Sequence, residues 1–417
     1  MVERASQVVD EAQAIAGTRG QRVLLVVGIV VLGFNLRPAA VSVGPVLDEV
    51  RTQLGMSPVA VGVLTSLPVL AFALFGGAAP WLAGKVGVHR LTLLSLVGVV
   101  VGLGLRALVD SVPLFLVLSL LALAGMAAGN VVLPSLVKLH FPDRVGLFTS
   151  LYTTALAVGL TSSSALTVPL SDAGGSWRWG LAAWAATALV AAVPWLGLLR
   201  HDATLGRQRR SVGLLDIART RLGWAMATTF ALQSTQAYII FGWFALLFRD
   251  SGYTAAQAGL LLGLVTGISI PLSFLVPYAA GRMHNHTVLL IALLSCYAIG
   301  YTGLLLTPGT ATWLWAAFVG AGTSIFPLVL AQIGLRSRSA EGTAALSGFT
   351  QSIGYLLAAP GPFVVGVLHD RTDGWDVPLL FLLGLTVLLA GTALLVARDQ
   401  HVEDQLVNER QRGTSLP

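Results

Sequence analysis

One basic residue stands deep inside an apolar stretch of the sequence. Arg37 lies about 14 residues into the first apolar run, which is roughly 20 Å if the run is α-helical. All 19 acidic residues and all 7 histidines lie in connections, tails or the ends of such runs. A guanidinium presents a planar fork of N–H donors that suits carboxylates and other planar anions. We therefore expect Arg37 to bind an anion from outside the chain; the alternative is a structural role on backbone carbonyls.

Amide and aromatic side chains recur at helical spacing in three other apolar runs. Asn130 precedes Pro134 by four residues, and Gln233, Gln236 and Trp243 share one stripe of a helix. Buried amides are costly in an apolar environment, so these faces are expected to point to a polar interior. The alternative for Asn130 is bonding to backbone carbonyls freed by Pro134, and for Gln351 and Tyr355 it is hydrogen bonding between helices. For Tyr238 and Trp243 the alternative is anchoring at the outer interface. The candidate substrate-binding residues are Arg37, Asn35, Asn130, Tyr152, Gln233, Gln236, Tyr238, Trp243, Gln351 and Tyr355.

The composition excludes a water-soluble fold. Of 417 residues, 55% are hydrophobic and 11% are charged, against about 25% charged in soluble domains. The mean hydropathy is +0.80, and the apolar runs are about 20 residues long without the alternation of a β-barrel. With one cysteine, Cys296, no disulfide can form within the chain. The sequence therefore predicts an all-α membrane protein.

Twelve apolar runs are long enough to cross a membrane of about 30 Å. They are 23–46, 57–79, 91–109, 113–138, 146–169, 177–199, 222–247, 255–280, 287–306, 311–334, 343–368 and 377–397. Nineteen of the 25 Lys and Arg residues fall on the side that holds both termini and five on the other side, with Arg37 inside a run. The positive-inside rule then predicts cytoplasmic termini in a bacterial-type inner membrane. This loop bias also accounts for the net charge of +6, so no nucleic-acid partner is expected.

The second half of the sequence repeats the first at an offset of 197 residues. Gly62 pairs with Gly259, and the segment 80–89 pairs with 277–286. Parallel six-helix repeats related by an axis along the membrane normal place a cavity between them, which favours transport by alternating access. The predicted organisation is a tail (1–22), a six-helix bundle (23–199), a linker (200–221), a second bundle (222–397) and a tail (398–417).

Enzyme signatures are absent from the sequence. It has no Walker loop, no HExxH and no His/Cys set at metal-ligand spacing. We therefore expect no enzymatic activity, no cofactor and no metal. A membrane sensor or enzyme would need a nucleophile or metal ligands at membrane depth, or a soluble signalling domain.

The loop after the second apolar run reads PWLAGKVGVHR (80–90). It resembles the loop signature of the major facilitator superfamily, Gly-x3-Asp-Arg/Lys-x-Gly-x-Arg/Lys-Arg/Lys, and departs from it at the first Gly and at the Asp. The resemblance implies twelve transmembrane helices in two pseudo-symmetric six-helix bundles. It also makes Lys85 and Arg90 candidate residues of a gating loop.

Further segments are similar to the cyanate permease and 2-nitroimidazole transporter family of that superfamily. They are FNLRPA (34–39), GNVVLP (129–134), LQS (232–234) and QSIGY (351–355). The resemblance implies a monomeric transporter of small solutes. The guanidinium of Arg37 at membrane depth adds the expectation that the solute is anionic or planar and heteroaromatic, with Arg37 as the central residue. Export of lipophilic drugs is the alternative substrate class. Besides its substrate the protein would contact membrane lipids. Protons are a candidate coupling ion, although no acid lies in the predicted cavity to carry them.

Overall fold

The computed structural model describes residues 19–199 and 212–406, and the regular structure within them is helical throughout. Twelve helical segments are long and apolar enough to cross a membrane. This confirms the predicted all-α membrane fold with twelve transmembrane helices. Twelve crossings place residue 19 and residues 398–406 on one side of the membrane, which we call the terminal side. The predicted tails and linker lie partly outside the described residues, at 1–18, 200–211 and 407–417.

The first six spans form the first half. In order they are Arg19–Asn35 with the short helices Pro38–Val41 and Gly44–Val46; Pro58–Ala71 with Phe72–Gly76 and Gly77–Val86; Val88–Arg106; Val112–His140; Val145–Ala173; and Trp177–Leu198. Leu47–Leu54 and Pro142–Arg144 are short helices in the connections. The second span extends past its predicted end at 79, and the third begins and ends about three residues early. The other boundaries agree within a few residues.

The last six spans form the second half. In order they are Arg221–Asp250; Ala255–Ala280; Thr287–Leu306; Thr312–Gly322 with Ile325–Leu335; Ala340–Ala358 with Gly361–Thr372; and Asp376–Ala397. A short helix, Leu214–Ala218, precedes span 7, and residues 402–406 form a last helical turn. The predicted repeat appears as matching contacts: Lys85 lies 3.8 Å from the ring centroid of Trp81, and Arg282 lies 4.0 Å from that of Tyr278.

Four spans are irregular along their length. Span 1 leaves the helix at Leu36, just before Pro38, since a proline has no N–H to donate to the carbonyl group four residues earlier. Span 2 widens to a π-helical turn over Phe72–Gly76, and spans 10 and 11 are broken at 323–324 and 359–360. Backbone groups freed within a membrane are tolerated where they are buried in protein or line a cavity. The breaks in spans 1 and 10 lie at buried or half-buried residues, whereas 359–360 in span 11 are exposed.

The two halves meet closely on the terminal side. A Cβ on Gly146 of span 5 would lie 2.5 Å from the Cα of Gly281, directly after span 8. A Cβ on Gly348 of span 11 would lie 2.5 Å from the Cγ of Pro80 in span 2. In the outer parts of spans 2 and 8, by contrast, a Cβ on Gly62 would meet no atom within 4 Å, and neither would one on its counterpart in span 8. The structure is thus closed on the terminal side.

The segment after span 12 packs against the second half. Arg336 donates from Nη2 to the carbonyl oxygen of Ala397 at 2.8 Å and from Nε to that of Val396 at 3.0 Å, which caps the end of span 12. Glu403 accepts hydrogen bonds from the backbone N–H groups of Arg338 (3.0 Å) and Ser339 (3.1 Å) at the start of span 11. A carboxylate at a helix N-terminus satisfies unpaired donors and opposes the helix dipole. On the terminal side, Arg336 thus caps the end of span 12, and Glu403 of the segment after it caps the start of span 11.

Candidate substrate site

Arg37 lies at the break in span 1 and faces the second half. Its guanidinium carbon is 5.3 Å from the ring centroid of Phe326, two residues beyond the break in span 10. It also interacts electrostatically with the phenol groups of Tyr355 and Tyr238. The side chain is partly exposed, unlike most of its neighbours in span 1. The interruption of span 1 therefore places a cation against aromatic residues of spans 7, 10 and 11.

Five rings make up what we call the aromatic cluster: Phe72, Phe230, Tyr238, Phe326 and Tyr355. Tyr355 is central, with its ring centroid 4.2 Å from Phe72, 4.9 Å from Phe230 and 6.2 Å from Tyr238. Phe230 in turn lies 5.9 Å from Phe326. Aromatic faces attract cations and stack with other flat groups. The cluster therefore supports the guanidinium and offers flat surfaces to a planar solute.

A buried amide pair joins the two halves beside the cluster. Asn130 of span 4 donates from Nδ2 to Oε1 of Gln351 in span 11 at 2.5 Å, and Gln351 donates from Nε2 to Oγ of Ser347 at 2.8 Å. Gln351 precedes Tyr355 by one helical turn. The structure thus brings together Arg37, Asn130, Gln351, Tyr355 and Tyr238 of the predicted set.

Arg37 forms no ion pair with any residue that the structure describes. Aspartates and glutamates of the described ranges lie in connections or within a few residues of a helix end. Those ranges also contain no group of three or more His, Cys, Asp or Glu side chains able to hold a metal ion. The cluster therefore presents one positive charge with no acidic partner from the chain, an arrangement that suits an anionic ligand.

Asn35 and Gln236 lie inside the bundles rather than between them. Asn35 donates to the carbonyl oxygen of Val31 at 2.9 Å and accepts from Oγ1 of Thr187 at 2.8 Å. Gln236 accepts from the hydroxyls of Tyr301 (3.0 Å) and Thr386 (3.1 Å), and its Nε2 has no partner. Both amides are buried among helices of their own half. Their contacts are hydrogen bonds within one half, of the kind that amides commonly form between membrane helices.

Three further predicted residues lie apart from the amide pair. Gln233 donates to the carbonyl oxygen of Thr323, at the break in span 10, over a long 3.5 Å. Tyr152 is 1% exposed and its hydroxyl lacks a partner, while its backbone carbonyl packs on Gly33 of span 1. Trp243 donates from Nε1 to the carbonyl oxygen of Pro362 at 2.9 Å, towards the side opposite the terminal side. Gln233 thus supports the break that carries Phe326, and Trp243 links spans 7 and 11.

The predicted gating-loop residues are exposed on the terminal side. Lys85 packs over Trp81 of its own span, as described above. Arg90 lies in the first turn of span 3, next to His89, which is buried and bonded to His140 with 2.8 Å between the Nε2 atoms. Span 2 reaches span 11 through Pro80.

Sequence analysis missed several residues of the site. Phe72, Phe230 and Phe326 carry no polar atom, so they looked like any lipid-facing or core residue. Arg106 was counted with the connections, yet it is the last residue of span 3 and only 1% exposed. The prolines at 38 and 360 coincide with the breaks in spans 1 and 11, but Pro134 and Pro169 lie inside unbroken helices, so proline alone does not locate a break.

Comparison with known proteins agrees with this architecture. The family model of the Major Facilitator Superfamily matches residues 23–355. The proton:xylose symporter XylE, solved with 6-bromo-6-deoxy-D-glucose, superposes with a TM-score of 0.71 at 13% identity, covering 93% of this chain and 98% of the symporter. At that identity the likeness shows the fold alone.

Three curated relatives align along almost their whole length. The uncharacterized transporter YycB of Bacillus subtilis (strain 168) is 37% identical over 94% of this chain and 97% of its own. In Escherichia coli (strain K12), the 2-nitroimidazole transporter is 33% identical over 91% and 97%, and the cyanate transport protein CynX is 28% identical over 86% and 94%. With its twelve spans, this chain belongs to the major facilitator superfamily, in the group that holds the 2-nitroimidazole and cyanate transporters.

Proposed function

We propose that this protein is a secondary transporter or facilitator that moves a small planar anion, or a planar heteroaromatic solute, by alternating access. Arg37 is the anion-recognising residue. The observation that carries the proposal is a guanidinium from the first half, without an acidic partner among the described residues, set against aromatic rings of the second half. A ligand at that position would contact both halves. Its binding would therefore depend on how the halves are arranged.

The substrate class follows from the two kinds of group at the site. The guanidinium fork favours a carboxylate or another delocalised anion in its plane. The aromatic cluster favours a flat ligand over a branched or bulky one. Asn130 and Gln351 add amide donors and acceptors that would exchange their mutual hydrogen bond for bonds to the ligand. The named substrates of two relatives, cyanate and 2-nitroimidazole, are small and planar and fit this class.

The closed terminal side supports the alternating-access part of the proposal. Contacts such as Gly146–Gly281 join the halves there, while no hydrogen bond or ring contact between halves is found beyond the level of Arg37 in the described ranges. Two bundles, 23–199 and 222–397, would rock about this site. With the terminal side in the cytoplasm, as the loop charges favour, the structure is the state in which the site faces outward.

The proposal is for a monomer in the inner membrane, with lipids as its surroundings and no nucleic-acid partner. A proton-carrying acid is not found near Arg37 among the described residues. Transport would therefore be facilitated diffusion, exchange of one solute for another, or movement of a proton on the substrate itself.

Uptake into proteoliposomes tests the proposal. Labelled cyanate, 2-nitroimidazole and benzoate would be offered to the wild type, to Arg37→Ala and to Arg178→Gln. Arg178 makes a similar cation–π contact with Trp177 outside the site, so its variant serves as the matched control. We expect saturable uptake of at least one planar anion by the wild type and the control, and its loss in Arg37→Ala. Equal uptake by all three proteins would refute the role of Arg37.

A further inference from the structure

Besides Arg37, another arginine of the first half lacks an acidic partner among the described residues, and this one is buried. Arg106 is among the largest fully buried side chains and is 1% exposed. Its Nη2 donates to Oγ of Ser42 at 3.0 Å, its Nη1 to the carbonyl oxygen of Ala39 at 3.4 Å, and its Nε has no partner. It forms no ion pair with the described part of the chain. A buried guanidinium with only neutral acceptors is costly, so packing alone does not account for an arginine here.

Both acceptors of Arg106 belong to the segment that begins directly after Arg37. Ala39 lies within the short helix Pro38–Val41, and Ser42 is the residue that ends it. The helix has four residues, too few to be stable without help from its surroundings. Its last carbonyl groups lack helical partners, and a cation at a helix C-terminus is favourable. Arg106 thus supplies from span 3 the partners that this helix lacks.

The backbone of Arg37 is hydrogen-bonded to the first turn of the same short helix. Its carbonyl oxygen accepts hydrogen bonds from the N–H groups of Ala40 (3.0 Å) and Val41 (3.2 Å). A shift of the short helix would therefore carry the backbone of Arg37 with it.

We propose that Arg106 is a positioning residue for the Arg37 site: it clamps the short helix Pro38–Val41 and so fixes the direction in which the Arg37 guanidinium points. Its effect on ligand binding rests on the proposed function, whereas its effect on the helix does not. A purely structural role in packing span 3 on span 1 would affect stability but would not act through Arg37.

Hydrogen exchange of the full-length protein in detergent tests the clamp without a ligand. Arg106→Met keeps an unbranched apolar side chain, shorter than that of arginine, and removes the charge and the donors. Arg106→Lys keeps the charge. Arg178→Met is the matched control, because Arg178 donates to the carbonyl oxygens of Ala107 and Val109 beside Arg106 and does not touch the short helix. We expect exchange over residues 38–46 to rise at least tenfold in Arg106→Met, less in Arg106→Lys and not in the control. Unchanged exchange in Arg106→Met would overturn the proposal.

Ligand binding then separates positioning from packing. Benzoate and its uncharged isostere benzamide would be titrated against the same proteins. We expect Arg106→Met to weaken benzoate binding roughly ten- to a hundredfold, as displacement of a recognition group by about 1 Å can do, with a much smaller change for benzamide. Arg106→Lys should recover part of the loss.

The double variant with Arg37→Ala gives the decisive comparison. If Arg106 acts through Arg37, adding Arg106→Met to Arg37→Ala should change benzoate binding less than twofold. An equal, multiplicative loss in both backgrounds would contradict positioning. If the wild type binds neither benzoate nor cyanate, the proposed anion function fails, and the exchange data still decide whether Arg106 clamps the helix.

Discussion

The glycine contact between spans 5 and 8 makes the closed terminal side sensitive to a single methyl group. Gly146→Ala would place a Cβ 2.5 Å from the Cα of Gly281, 2.7 Å from the carbonyl oxygen of Pro277 and 2.9 Å from the N of Gly281. All three are backbone atoms, which cannot rotate away as a side chain can. The helices must therefore separate by about 1 Å, so that the new contacts reach the ordinary 3.5–4.0 Å. Only the arrangement in which these spans touch carries this cost.

The expected size follows from the cost of overpacking. Extra methyl or methylene groups in a tight contact cost about 1–3 kcal/mol. In the proposed alternating-access cycle, this cost raises the free energy of the state that is closed on the terminal side relative to that of the state that is open there. A difference of about 1–3 kcal/mol changes the ratio of two states by about 5- to 150-fold. Gly146→Ala should therefore shift a large part of the population to a state that is open on the terminal side.

Distances between spin labels would measure this shift. One pair would stand at Gly84 and Arg282 on the terminal side, and another at Leu108 and Leu306 on the opposite side, in a Cys296→Ser background. All four positions are exposed at the ends of their helices. We expect the first distance to lengthen and the second to shorten in Gly146→Ala. The matched control is Gly263→Ala, in span 8, where a Cβ would meet no atom within 4 Å.

Two results would refute this reasoning. The first is an unchanged distance distribution in Gly146→Ala at full expression, which would mean that the helices adjust locally at no cost. The second is an equal shift in Gly263→Ala, which would mean that any added methyl on these spans has the same effect.

Three further predictions concern single contacts on the terminal side and between the halves. Burial, and after it the positive charge of Arg336, lowers the pKa of His286. An unfolded histidine titrates near 6.5, so below that pH the unfolded chain binds a proton more readily than the folded protein does. The free energy of unfolding should therefore fall by up to about 1.4 kcal/mol per pH unit below that pH in wild type but not in His286→Gln, as measured by thermal unfolding. Glu403→Ala should cost about 1 kcal/mol and speed hydrogen exchange in the first turn of span 11, whereas unchanged exchange would show that the cap is dispensable. Asn130→Leu leaves Oε1 of Gln351 buried without its donor and should lower the free energy of unfolding by about 1–3 kcal/mol. The double variant Asn130→Leu/Gln351→Leu should recover this stability in the same unfolding assay.

The number and type of elements could be predicted because each span repeats one strong signal. A run of about 20 apolar residues has few stable conformations in a membrane other than a helix. The position of Arg37 within a span was predictable for the same reason, since a charged residue is rare inside such an apolar run. The contact between the Gly146 and Gly281 regions was not predictable, because it depends on which arrangement of the two halves the chain adopts.

Long-range contacts account for what sequence analysis left unresolved at the site. Gln236 and Gln351 are equally polar and equally buried, yet one bonds inside its bundle and the other across to Asn130. A residue's position on its own helix does not determine which neighbour that face meets. Phe326 likewise reaches Arg37 only because spans 1 and 10 both break near it. Such contacts join residues that are hundreds of positions apart.

The lack of an acidic partner for Arg37 in the described chain has an electrical consequence for the proposed cycle. An empty site carries one positive charge, and a site loaded with a monovalent anion is neutral. The membrane potential then acts on the return of the empty protein, with up to about 2.3 kcal/mol per 100 mV, and leaves the loaded step almost unaffected. With cytoplasmic termini and a negative interior, the voltage draws the empty site inward. The membrane potential would thus favour export of the anion. Accumulation of the anion inside the cell would need a steeper anion gradient.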